Sequence, residues 1–222
     1  MRAALHPFAV ILGRAMAGYA VATARPSRAR IEGMHQLPSR PAIYLGWHGA
    51  NLLAMGLLRA FGPRTCCSII PSGLPGTTIR SFLHGIGSVE PVALDERETG
   101  SLRAALRHLE VALQDGKDVV IAGDGPAGPA FQLRPGAVWL ARMTGSPLVP
   151  IGYAASPAFR VPRWDRHIVP FPGARVAAVV GAQTFVTRRQ SVNKLMLSSI
   201  ESQLNEVTDR AWEIVRPQAL PV

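Results

Sequence analysis

An α/β fold built on a mainly parallel, mixed sheet with helices on both faces is what this 222-residue chain predicts. Three observations carry that expectation. Short β-branched apolar runs alternate with amphipathic stretches along the chain. Several runs are apolar at every position, as strands buried on both faces are. Loops bearing Gly or Pro punctuate the junctions. The length suits one large domain, with residues 31–222 forming the α/β unit and residues 1–30 an N-terminal apolar helix and linker.

The first segment, residues 2–24, is apolar but interrupted by Arg14. About 20 uninterrupted apolar residues are needed to cross a bilayer, and this run is broken. Ala22-Thr23-Ala24 resembles a signal cleavage site, yet Arg14 falls in the middle of the would-be apolar region. The reading that fits is a helix lying in a membrane interface, with Arg14, Arg25, Arg28 and Arg30 near anionic head groups. An ordinary core-packing helix is the alternative.

A Pro/Arg/Ser-rich connection follows, with a short strand at residues 30–33. Residues 42–47 read as an apolar strand and residues 51–61 as a helix, with His48 at the junction. Residues 65–70 form the next strand, followed by a Pro/Gly loop and a helix over residues 77–84. Residues 87–94 are a strand weakened by Pro91. Thr99 is placed to cap a helix over residues 101–114, whose Leu102, Leu106, Leu109 and Leu113 form one stripe. Residues 117–122 are a strand bounded by Asp-Gly and Gly-Asp-Gly-Pro, and a tight loop, a short helix and a strand at residues 147–153 complete that unit. Residues 154–172, rich in Pro, Arg and aromatics, read as irregular. A strand at residues 175–181 precedes a long amphipathic helix, apolar from Val192 to Ile214 and ending near Pro217. Cys66 and Cys67 are adjacent on a strand, so their side chains point to opposite faces and they read as reduced core residues.

The chain is 48% hydrophobic, with a mean hydropathy of +0.16, and carries a formal charge of +10. Basic and apolar together point to a membrane surface. Only Lys117 and Lys194 are lysines, leaving 22 of the 24 cationic residues as Arg, a bias suited to phosphate or carboxylate recognition and equally produced by a GC-rich genome. The arginines are scattered, aromatics are sparse and no helix-turn-helix or zinc pattern appears, so nucleic acid is not an expected partner. His6, His35, His84, His108 and His167 have no metal-ligand spacing, and no metal is expected.

Two titratable side chains fall just past the carboxyl ends of strands, His48 and Asp124. Ligands of open α/β sheets bind in the crevice at that edge. In the loop after the second of these strands, Gly125 and Gly128 let backbone approach a ligand while Pro126 and Pro129 fix its course. Capping of the loop is the plainer role for Asp124.

Taken together, Trp47-His48-Gly49, the Asp124-Gly125-Pro126-Ala127-Gly128-Pro129 loop, the run from Pro135 to Ala141 and Gly145-Ser146-Pro147-Leu148-Val149-Pro150 are specific in order and spacing. Over residues 44–181 the chain resembles the lysophospholipid acyltransferase-like superfamily, in particular a bacterial subgroup marked by a Trp-His and a DGP-x-GP loop. The resemblance implies a glycerolipid acyltransferase-like fold that moves a fatty acyl group from acyl-CoA or acyl carrier protein to a hydroxyl or amine of a lipid-like acceptor. No cofactor is implied. His48 matches the family's catalytic base. Five residues on, where the family has an acid, stands Leu53, and Asn51 is the polar side chain nearby. Asp124 matches in order the Glu of the family's Glu-Gly-Thr-Arg block and is the expected partner of His48. Where that block's Arg binds acceptor phosphate stands Ala127, leaving Arg80 or Arg134 to supply the charge. Trp47, Asn51, Ser72, Gly125, Pro126 and Gly128 complete the expected substrate contacts, with the amides of residues 125–128 near the thioester oxygen. The implied location is the cytoplasmic face of the inner membrane, held peripherally on an anionic surface. A relative that binds acyl lipids or carrier protein without turnover is the alternative, and an Arg-rich nucleic-acid binder the more remote one.

Overall fold

The computed structural model of the chain describes residues 2–23, 29–94 and 100–216. Seven strands form one sheet in the order β1-β7-β6-β2-β5-β3-β4. They are β1 (Ala29–Glu32), β2 (Ile43–Gly46), β3 (Cys66–Pro71), β4 (Val89–Leu94), β5 (Asp118–Ala122), β6 (Leu148–Arg160) and β7 (Ile168–Val180). Every neighbouring pair is parallel except β6 with β7, which form an antiparallel hairpin. The six helices are α1 (Arg2–Thr23), α2 (Asn51–Leu57), α3 (Gly73–Ile86), α4 (Ser101–Gln114), α5 (Gly136–Thr144) and α6 (Lys194–Val215).

Alternation along the central strands divides the core in two. Tyr44, Cys66 and Val120 face the layer made by α1, α2 and α3, while Ile43, Leu45, Cys67 and Val119 face α4, α5 and α6. Cys66 and Cys67 are both buried and free, on opposite faces as their adjacency requires.

Two buried carboxylates clip β5 to β2. Asp118, at the start of β5, accepts a hydrogen bond from the Ala42 amide at 2.9 Å, and the Arg64 guanidinium lies 3.5 Å away. Asp124, just past the end of β5, accepts from the His48 amide at 2.8 Å. Each carboxylate extends the ladder by one bond beyond the strand proper, so the chain at both ends of β2 is fixed against β5.

Helix α1 is long and apolar enough to span a membrane by length and composition, at a mean hydropathy of 1.3 over Leu5–Thr23. Its packed face is a stripe of small residues, Ala9, Gly13, Ala17 and Ala20, and Gly13 lies directly against the Thr78 carbonyl of α3. Its large apolar residues point outward, with Phe8 66% and Ile11 67% exposed.

The expected elements are present with shifted ends. α3 begins at Gly73, so the Pro/Gly stretch expected as loop is largely its first turn. The larger correction concerns residues 154–172. Instead of irregular chain, β6 runs to Arg160 and β7 starts at Ile168. Pro157 suggested a break, but it sits at the register shift between Ser156 and Ala158, a bulge where no ladder bond is asked of it. The Thr99 cap, Arg25, Arg28 and Pro217 lie outside the described residues.

Candidate active site

The carboxyl ends of β2, β5, β3 and β4 converge on a cavity of about 850 Å³, its open mouth included. His48 and Asn51 stand at one side. Apolar side chains of β3 and β5, such as Ile69 and Val120, form its base, and Leu102 and Leu106 of α4 form a wall. The leucine stripe of α4 therefore divides its work. Leu109 and Leu113 are buried in the core, whereas Leu102, 55% exposed, and Leu106 face the cavity.

His48 opens a short 3₁₀ turn, His48–Ala50, between β2 and α2. Its main chain is held by Asp124, whose other oxygen accepts from the Phe131 amide at 3.2 Å. Asp124 is buried, and its hydrogen bonds go to main chain rather than to the imidazole. The loop it anchors is tied down further by Arg134 N–H donating to the Gly123 carbonyl at 2.7 Å and Leu133 N–H to Glu201 of α6 at 2.7 Å. The peptide bonds before Pro126 and Pro129 are cis. The amides of Gly125 and Gly128 are spent inside the loop, on the carbonyls of Ala122 at 3.3 Å and Asp124 at 3.1 Å. Of the residue 125–128 amides that the sequence suggested as oxyanion donors, these two already have acceptors within the loop. Besides His48, the donor-bearing side chains that line the cavity are Asn51, Ser68 and Arg134, the last also bonded to the Gly128 carbonyl.

Gly125, Pro126 and Arg134 line the cavity with His48. Ser72 and Arg80 are exposed on and beside α3 and do not line it. Trp47 is buried, packs edge-on against Phe131 at 5.6 Å and borders a smaller cavity behind the site. Gly128 has a left-handed φ of 71° and carries the Trp164 ring against it, at 2.6 Å from where a Cβ would stand.

Trp164 belongs to the part of the site that sequence reasoning missed, the β6–β7 turn over residues 161–167. The turn closes through Val161 N–H to the His167 carbonyl at 2.9 Å and Arg166 N–H to the Arg163 carbonyl at 3.1 Å. The Trp164 ring leans on His48, with centroids 5.2 Å apart and planes at 45°. Asp165, 3% exposed, puts Oδ2 3.9 Å from His48 Nε2 and 3.7 Å from His167 Nδ1, and Arg163 Nε lies 3.8 Å from Oδ1. Its main-chain carbonyl sits 2.1 Å from the Cβ position of Gly49, so only glycine fits there. Gly49 and Gly128, quoted above within two motifs, are thus the two sockets into which this turn fits. The signal available in the sequence was the Arg-Trp-Asp-Arg-His run itself, an acid between a histidine and two cations.

Burial pushes the His48 imidazole below its ordinary 6.5, opposed by the nearby Asp124 and Asp165 carboxylates and reinforced by Arg163. The ring is neutral at pH 7, the state a proton acceptor requires. His48 Nδ1 is buried with no hydrogen-bond partner. Burial likewise lowers His167, with Asp165 acting in the opposite direction.

No family model matches the chain. It is 27% identical over 173 residues to RP090, an uncharacterised protein of Rickettsia prowazekii (strain Madrid E), covering 78% of this chain and 76% of that one. Its structure is similar to the crystal structure of the 1-acyl-sn-glycerophosphate acyltransferase PlsC from Thermotoga maritima, with a TM-score of 0.54 at 16% identity over 99% of this chain and 83% of that one. The chain has an acyltransferase-like α/β fold, a mixed seven-stranded sheet flanked by six helices with an apolar helix at its N-terminus.

Proposed function

We propose that this protein is an acyltransferase that moves a fatty acyl group from a thioester, acyl-CoA or acyl carrier protein, to a hydroxyl or amine of a lipid-like acceptor. The observation that carries the reading is a neutral imidazole, His48, facing an apolar cavity at the carboxyl edge of a sheet with the fold of a known acyltransferase. The apolar walls take the acyl chain, each buried methylene contributing about 0.8 kcal/mol. His48 accepts the acceptor's proton as its oxygen or nitrogen attacks the thioester carbonyl. The C–S bond then breaks, and the departing sulfur takes the proton back from the imidazolium. Asn51 and Arg134 are the donors for the oxyanion or a substrate phosphate, in place of the Gly125 and Gly128 amides. Arg134, rather than Arg80, takes the role left open by Ala127. Asp124 acts on His48 through space and through its main chain.

The outward apolar face of α1 and the charge of +10 fit peripheral attachment to an anionic inner-membrane surface on its cytoplasmic side. One observation favours the non-catalytic alternative: Asp124 has no hydrogen bond to the imidazole. The two readings part on free-thiol release from long-chain acyl-CoA and acyl carrier protein with a mixed lysolipid and amine pool. Thiol release with an acylated product, lost in His48→Ala, establishes the transferase. Acyl-chain binding without release leaves a binding protein.

A further inference from the structure

The buried carboxylates of the described residues sort into two kinds. Asp124 gives both oxygens to main-chain amides and Asp118 gives one, its other oxygen facing the Arg64 guanidinium, and both serve as clips between strands. Asp165 is as deeply buried, yet no hydrogen bond reaches its Oδ1, and the groups around it are ionisable side chains at 3.7 to 3.9 Å. A buried carboxylate with one oxygen that no hydrogen bond reaches is costly to keep, and a purely structural acid would have amides against it. The turn that carries it is placed with care. Gly49 admits the Asp165 carbonyl and Gly128 admits Trp164, so the neighbours of His48 on both sides along the active edge are shaped to receive residues 164 and 165. On α2, where an acid would follow a histidine by five residues, Leu53 is 1% exposed in the core and offers nothing.

Building on the acyltransferase reading, we propose that Asp165 is the positioning residue for His48, holding the ring and stabilising the imidazolium that forms when His48 takes the acceptor's proton. The acid is delivered across the sheet from the β6–β7 turn instead of along the helix. The separation of 3.9 Å is too long for a hydrogen bond and short enough for strong charge attraction in a buried setting. Catalytic contacts are often this long without substrate and tighten only in its complex. The charged and titratable groups facing the ring are Asp124 from the loop after β5, Asp165 and Arg163 from the turn, and His167 beside Asp165.

The test is a titration of the His48 ring by NMR in the full-length protein, with its resonance assigned by its loss in His48→Gln. Wild type is compared with Asp165→Asn, Asp165→Ser and Asp165→Glu, each checked for native circular dichroism. Removing the carboxylate is expected to lower the His48 midpoint by about one pH unit, with Glu keeping it near wild type. In parallel, kcat for thiol release falls at least about tenfold in the Asn and Ser variants with KM nearly unchanged, and Glu recovers part of it. A His48 midpoint that does not move in either neutral variant overturns the proposal. So does a kcat that is unchanged while His48→Ala is dead. If wild type cleaves no thioester, the acyltransferase reading fails, and the titration still decides whether Asp165 acts on His48.

Discussion

At the scale of single residues, the site is held by oxygen atoms whose partners are fixed. Asp124 serves two amides 83 residues apart in sequence, His48 and Phe131. Asp124→Ala leaves both part-buried donors without their acceptor, an expected loss of about 2–5 kcal/mol in urea unfolding, because each unsatisfied group costs about 1–3 kcal/mol. A change within 0.5 kcal/mol would mean the clip is dispensable. Gly49→Ala drives a methyl into the Asp165 carbonyl. It is expected to displace the turn and to cut activity while the sheet remains folded, read by circular dichroism beside the thiol assay.

At the scale of elements, α4 and the β6–β7 hairpin define what the site accepts and when. Leu106 forms part of the cavity wall, so Leu106→Trp fills space that the proposed function gives to the acyl chain, and the preferred donor is expected to shorten by several carbons in a chain-length series. An unchanged profile would place the acyl chain elsewhere. His48 and His167 both titrate below 6.5 when folded. Between those folded values and 6.5 the unfolded chain binds more protons, so stability is full above about 6.5 and is lost as pH falls through that window. Chemical denaturation at pH 7.5 and pH 5 should show the drop, and His167→Gln should reduce it. The catalytic limb follows the same sign: transfer falls as pH drops through the lowered His48 value. The hairpin is also where sequence reasoning fell short. Strand periodicity was masked by Pro157, Pro170 and Pro172, and Asp165 reaches His48 only through a strand pairing that no local pattern encodes. By contrast β2, β5 and α4 were legible, because continuous apolar runs and a four-leucine stripe are local signals.

At the scale of the whole molecule, the sheet carries His48, the loop of residues 124–129 and the cavity on one edge, which is why His48 and Asp124 were legible as neighbours before any distance was known. The roles within that edge were not legible, since they depend on which oxygen faces an amide and which a ring. Away from the cavity, α1 turns its large side chains outward and its small ones inward, the reverse of a soluble core helix. Wild-type protein is expected to co-sediment with anionic vesicles at low salt and less at high salt, and a Phe8→Glu/Ile11→Glu variant to remain in the supernatant. Equal sedimentation of the two would remove α1 from membrane attachment.

The most direct test of the central claim is transfer of a radiolabelled palmitoyl group from acyl-CoA or acyl carrier protein into a total lipid extract, with wild type and His48→Ala run side by side. The account predicts a labelled product with wild type, and a rate at least about 100-fold lower for His48→Ala at an unchanged thermal midpoint. Equal labelling by the two proteins would contradict it, because His48 would then not be the base.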